Sequence, residues 1–203
     1  MISLPLIPGQ DDKVRLASRI QRVISGTAKG RRLKSVPGDT TRPITDRVKE
    51  ALFNILGADV IDSIWWDMFG GTGAVGIEAL SRGAAFVRFT DLNRAPIDTI
   101  KENLTATRLT SRAEAKRADA FNLLSARPDK RFHYVYIAPP QYQELWSKAL
   151  TLLDENPNWL SNDGWAIVQI DPKEYQAIEL KNLEEFEQRK YGSTLLIFYQ
   201  QKT

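Results

Sequence analysis

The stretch Ile64-Trp65-Trp66-Asp67-Met68-Phe69-Gly70-Gly71-Thr72-Gly73-Ala74-Val75-Gly76-Ile77-Glu78-Ala79-Leu80 runs from an apolar strand through glycines straight into a helix, an arrangement few folds accommodate. Glycines let the chain turn sharply and approach a ligand closely, and the first N–H groups of the new helix have no partner within it. A Walker loop would end in Gly-Lys-Ser or Gly-Lys-Thr, yet no lysine lies between Trp65 and Gly83. Gly71-Thr72-Gly73-Ala74-Val75-Gly76 does fit the dinucleotide pattern G-x-G-x-x-G. Val87-Arg88-Phe89-Thr90-Asp91 reads as the next strand, ending in a carboxylate 18 residues past Gly73. An acid there can accept hydrogen bonds from both hydroxyls of a ribose. Together the two segments imply a ligand containing adenosine. The plainer alternative is a strand-to-helix turn in which Asp91 caps a helix.

The chain of 203 residues, 42% hydrophobic, is long enough for one main core with a small appendage. No apolar stretch approaches the roughly 20 residues that a membrane span needs. Residues 1–10 hold two prolines and no basic residue, a poor signal peptide, so a cytoplasmic protein is expected. With no cysteine, disulfides and thiolate chemistry are excluded, and the lone His133 argues against a histidine metal site or a Ser-His-Asp triad. His133, placed just before the apolar Tyr134-Val135-Tyr136-Ile137, reads as a strand-edge residue without a chemical task.

Charge is unevenly spread. Residues 1–57 carry 11 lysines and arginines against 5 acids, a net of +6, while the remainder has a net of −3. Basic side chains grip the phosphates of nucleic acid without regard to sequence. Lys29, Arg31, Arg32 and Lys34, with Arg42 and Arg47 beyond them, are the candidate contacts to an RNA or DNA partner; a solvated basic face is the competing reading.

Residues 1–13 read as a loose tail. Segments 19–24 and 32–36 alternate in polarity around the Gly26–Gly30 turn and predict a hairpin. Residues 37–43 form a loop, and Thr45 or Asp46 is placed to cap a helix with Val48, Ala51, Leu52, Ile55 and Leu56 on its apolar face, ended by Gly57. Residues 1–57 are therefore expected to form a nucleic-acid-contacting extension and 58–203 the main domain. From Ile64 onward strands and helices alternate, which predicts a mostly parallel sheet covered on both faces. Strands are expected at 64–69, 86–90, 114–118, 133–138 and 165–170. Helices are expected at 74–82, about 95–107, briefly after Asp119, and about 142–154, with an ill-defined helical stretch after 170. Residues 185–191 and 193–200 predict a terminal antiparallel hairpin turning at Gly192. The tryptophans, Phe53 and Phe69 are assigned to packing.

Arg22-Val23-Ile24-Ser25-Gly26, Lys29-Gly30-Arg31-Arg32-Leu33 and the run from Thr41 to Leu56 closely resemble the amino-terminal part of the RsmD family, the 16S ribosomal RNA guanine-N2 methyltransferases. Asp67-Met68-Phe69-Gly70-Gly71-Thr72-Gly73 and Glu78-Ala79-Leu80-Ser81-Arg82-Gly83-Ala84 extend the resemblance, which covers most of residues 20–140. It implies a Rossmann-like class I methyltransferase with a seven-stranded sheet, S-adenosylmethionine as cofactor, and ribosomal RNA or a small-subunit assembly particle as partner, so that residues 1–57 become an RNA-contacting extension. A monomer is expected. By position, Asp67, Gly71 and Gly73 would line the methionine and sugar side of the cofactor, Asp91 the ribose, and Asp119 with the backbone of Ala120 the adenine; a helix cap is the plainer alternative for Asp119.

One segment departs from the family. Where relatives have Asp- or Asn-Pro-Pro-aromatic after the fourth strand, this chain has Ala138-Pro139-Pro140-Gln141. In the family the polar side chain and a proline-fixed carbonyl accept from the target amine while the ring stacks on the flipped base. A residual catalytic site would use the carbonyls of Ala138 and Pro139, the Gln141 amide, and Tyr142 as the stacking ring. Three functions compete: a guanine-N2 methyltransferase, a cofactor- and RNA-binding protein without turnover, and a small-molecule methyltransferase.

Overall fold

A computed structural model describes residues 21–37 and 44–203. Arg42, the 1–13 tail and the first residues of the expected hairpin lie outside the described residues. The hairpin itself is short: β1 (Gln21–Arg22) pairs antiparallel with β2 (Arg32–Leu33). Helix α1 (Asp46–Leu56) follows, with the Thr45 hydroxyl accepting from Val48 N and Gly57 at its end. Its buried face is turned from the expected one. Lys49 and Phe53 are buried with Val48, Leu52 and Leu56, whereas Ala51 and Ile55 are half-buried.

The main body is one seven-stranded sheet in the order β5-β4-β3-β6-β7-β9-β8. Strands β3 (Ile64–Asp67), β4 (Phe86–Asp91), β5 (Ala113–Arg117), β6 (Phe132–Ile137) and β7 (Leu160–Ile170) run parallel. Strands β8 (Leu183–Tyr191) and β9 (Thr194–Gln201) form the expected antiparallel hairpin, and β9 inserts between β7 and β8. Between the parallel strands lie α2 (Ala74–Ser81), α3 (Arg94–Thr107), α4 (Ala120–Leu124) and α5 (Leu145–Glu155).

Strand alternation sends successive side chains to opposite faces. Trp65, Phe89, Tyr136, Ile167 and Phe198 face one core with α1, α2 and α3; Trp66, Val135, Val168 and Ile197 face the other with α4 and α5. Val23, Ala28 and Leu33 of the basic amino-terminal segment belong to the first core, so that segment is packed onto the same sheet face as α2. The chain leaves β3 toward β4 and β5, then returns to place β6 on the other side of β3. The crevice beyond the carboxyl ends of β3 and β6 is thus the topological switch point, where sheets of this kind bind ligands.

Three expected boundaries move. Strand β7 begins at Leu160 rather than 165, because its pairing with β6 skips from Phe132–Leu160 to Tyr134–Trp165 and lets the polar residues 161–163 bulge out. Helix α5 starts at Leu145 rather than 142, since Tyr142 and Glu144 take left-handed backbone angles, φ 61° and 54°. After β7 a 3-10 turn, Pro172–Glu174, stands in place of a helix, closed by a capping box between Asp171 and Glu174. No helix among the described residues is long and apolar enough to cross a membrane.

Candidate active site

The glycine turn sits at the switch point. Gly70 N donates to Thr90 O and Gly73 N to Gly70 O, both at 2.7 Å, which folds the turn against β4. Gly71 and Gly73 have φ of 52° and 76°, angles that side chains disfavour. A Cβ on Gly71 would meet nothing closer than a carbonyl 4.0 Å away, so it would project into the open space a ligand on this backbone would fill. Gly76 has a different task. Its Cβ would lie 2.3 Å from the Phe89 ring, and the glycine lets α2 press on β4.

Three acids stand at the carboxyl ends of three adjacent strands. Asp67 ends β3 and is buried; its Oδ2 accepts from Gly76 N at 3.2 Å, and Oδ1 has no partner among the described residues. Burial, opposed by that hydrogen bond and reinforced by nearby Asp91, raises its carboxyl from 3.8 to about 7. Asp91 ends β4 and accepts from Gly71 N at 3.3 Å and Asn93 N at 2.9 Å. It therefore both holds the turn and faces the crevice. Asp119 follows β5 and caps α4 through Phe121 N at 2.8 Å, as expected; its Oδ2 is uncommitted among the described residues, and buried Ala120 opens the helix behind it. Between them Leu92, 63% exposed beside Asp91, offers an apolar lip that the sequence did not single out.

Beyond β6, Ala138 is half-buried, Pro139 buried, and Pro140 and Gln141 exposed. Tyr142 is 67% exposed and held from both ends: its N–H donates to Glu174 Oε2 at 2.7 Å and its hydroxyl to Asp171 Oδ2 at 3.2 Å. The capping box after β7 thereby fixes an aromatic ring at the rim of the crevice.

The amino-terminal segment reaches the same place. Thr72 Oγ1 donates to Gln21 Oε1 at 2.5 Å, and the Asn103 amide donates to the carbonyls of Thr72 at 2.9 Å and Lys34 at 3.1 Å. Buried Glu78 anchors the segment: it accepts from Ile24 N, Ser25 N and Arg82 Nε at 2.7–2.9 Å and lies 3.4 Å from the buried Lys49 ammonium. Burial lowers the Lys49 ammonium from its usual value despite Glu78 beside it. Neither residue was given a role by the sequence, since charged residues on helices read as solvated, whereas the helix that carries Glu78 is buried along its whole length.

Among the basic residues, Lys29, Arg31, Arg32 and Arg47 are exposed and their side chains have no partner among the described residues. Lys34 differs, being paired with Glu102 at 2.7 Å. His133 accepts from Ile64 N at 3.0 Å near the amino end of β6, opposite the crevice. Trp65, Trp66, Trp146 and Trp159 are core residues, as expected.

The profile of the family described as conserved hypothetical protein 95 matches residues 21–200. The chain is 34% identical to the ribosomal RNA small subunit methyltransferase D of Escherichia coli over 73% of each sequence. It is 35% identical to the enzyme of that name from Haemophilus influenzae, over 74% of this chain and 78% of the other. The solved structure of the Escherichia coli protein yhhF, 30% identical, superposes with a TM-score of 0.79 over 90% of this chain and 98% of that one. With the glycine turn, the sheet order and the terminal hairpin all in place, the chain belongs to the conserved hypothetical protein 95 family, that of the small-subunit ribosomal RNA methyltransferases D.

Proposed function

We propose that this methyltransferase uses S-adenosylmethionine to methylate the exocyclic N2 of a guanine in small-subunit ribosomal RNA. The observation that carries the reading is the row of acids on adjacent strand ends around an open glycine turn. Their donor-accepting chemistry suits the cofactor: Asp67 Oδ1 toward the α-ammonium and sugar, Asp91 toward the ribose hydroxyls, Asp119 Oδ2 and the Ala120 backbone toward the adenine, with Leu92 against its face. S-adenosylmethionine supplies an electrophilic methyl group on a sulfonium.

The exposed cations Lys29, Arg31, Arg32 and Arg47 lie on the segment that packs against the crevice face, and we assign them, with Arg42 and Lys34, to RNA phosphates. The target base is flipped out to reach the crevice, with Tyr142 as its stacking platform. Its amine nitrogen bonds to the methyl carbon as the carbon–sulfur bond breaks, the electrons passing to sulfur and one amine proton to solvent. That nitrogen is conjugated with the ring, so groups that hold its N–H bonds and turn its lone pair toward the methyl carbon supply rate.

The test is transfer of labelled methyl from the cofactor to RNA or assembling small subunits from cells lacking this gene, with N2-methylguanosine identified by mass spectrometry. Label on another atom would redirect the assignment. Ala138 favours one other reading, a protein that binds cofactor and RNA without turnover; calorimetric cofactor binding combined with no label on either substrate would establish it.

A further inference from the structure

Ala138 removes a polar side chain from the point where the amine should be held, yet the sheet brings another to that point. Strands β6 and β7 are parallel with Tyr136 beside Ile167 and Ile137 beside Val168. Strand β6 ends at Ile137; continued by one residue, the same register would set Ala138 beside Gln169. Alternation along each strand puts Tyr136, Ala138 and Gln169 on one face, and Asp67, paired with Tyr136 across β3, is on that face too. This is the face on which the basic segment packs.

Gln169 is half-buried and is not loose. The Tyr136 hydroxyl donates to its Oε1 at 2.5 Å, and burial together with nearby Asp67 holds that phenol well above its ordinary value, so it stays a donor. The contact leaves Oε1 a second lone pair. The Nε2 donors have no partner among the described residues. Gln141 is exposed, its side chain without a partner among the described residues, and Asp171 is engaged by Lys173 N at 2.9 Å and by Tyr142.

Resting on the guanine-N2 reading above, we infer that Gln169 takes over the work of the missing side chain at 138 and is the residue that reads the target base. Oε1 accepts one N–H of the exocyclic amine while Nε2 donates to the adjacent ring nitrogen N3. That donor–acceptor pair matches the N2/N3 edge of guanine, and adenine has no amine beside N3. Tyr136 is a positioning residue, which fixes the amide so that oxygen and nitrogen are presented in that order.

The inference is tested in the full-length protein with methyl transfer to RNA, calorimetry with S-adenosylmethionine, and thermal melting. Gln169→Leu keeps the volume and removes the amide; kcat is expected to fall about 100- to 1,000-fold, the range for losing one aimed hydrogen-bonding group, with cofactor affinity unchanged. Gln169→Glu keeps the acceptor for the amine but replaces the donor to N3 by an oxygen, so its kcat should also fall well below that of the wild type. Tyr136→Phe should lower kcat less than Gln169→Leu, because the amide remains but can rotate. Adding Ala138→Asn to Gln169→Leu should recover about tenfold in kcat, a rescue that a purely structural role for Gln169 would not produce. Wild-type kcat in a folded Gln169→Leu protein, or no rescue by Ala138→Asn, overturns the assignment while leaving the guanine-N2 reading standing. Wild-type protein that binds cofactor and labels no RNA overturns that reading, and this one with it.

Discussion

Asp67 is unfavourable for folding, and the proposed cofactor contact would turn that cost to use. Its carboxyl titrates near 3.8 in an unfolded chain and at about 7 in the folded, ligand-free protein. The folded state therefore holds this proton more tightly, and stability from this group falls as pH rises from about 4 to about 7, remaining low above that. Asp67→Asn should raise the melting temperature at both pH 5 and pH 8, by clearly more at pH 8, with cofactor binding lost at both. Equal shifts at the two pH values would show that the carboxyl is not held protonated. A cationic ammonium arriving at Oδ1 would reverse the preference, so a side chain that resists ionisation alone becomes a strong partner once the ligand neutralises it.

At the scale of elements, the joint between α2 and the amino-terminal segment is built on Glu78. Replacing it by alanine strands the Lys49 ammonium in the core and frees two backbone N–H groups. A buried pair broken from one side costs about 3–5 kcal/mol, which a lower urea midpoint would report. Much of this architecture is legible in the sequence, because the glycine turn, the periodic helices and the terminal hairpin each have strong local signals. The acids at 67, 91 and 119 are legible for the same reason: each ends a recognisable strand. Gln169 is not, since only the cross-strand register places it beside Ala138. Lys49 and Glu78 also escape notice, because pattern reading sends charges to solvent and cannot see that each neutralises the other. The bulge at 161–163 and the late start of α5 depend on local backbone geometry that polar loop residues do not advertise.

For the whole molecule, the basic segment reaches the crevice through the glycine turn, since Gln21 and Asn103 bond Thr72. The affinity for RNA should fall steeply with salt. Replacing Arg31 and Arg32 by alanine should flatten the plot of log affinity against log salt by about 1.4 to 1.8, with the range set by single- or double-stranded contacts. Calorimetry with cofactor alone should not register the change. A slope that stays put would mean the two guanidiniums remain in water when RNA binds.

Asn103 and Gln21 tie the carbonyl and hydroxyl of Thr72 to the segment that carries these cations. Ordering either end of that tie removes freedom from the other, so the two ligands should bind with positive cooperativity, and thermodynamic linkage requires the enhancement to be equal in both directions. Occupied RNA contacts would then make the enzyme retain its methyl donor longer, and Asn103→Ala, which leaves only the Gln21 tie, would weaken the mutual enhancement while each ligand still binds.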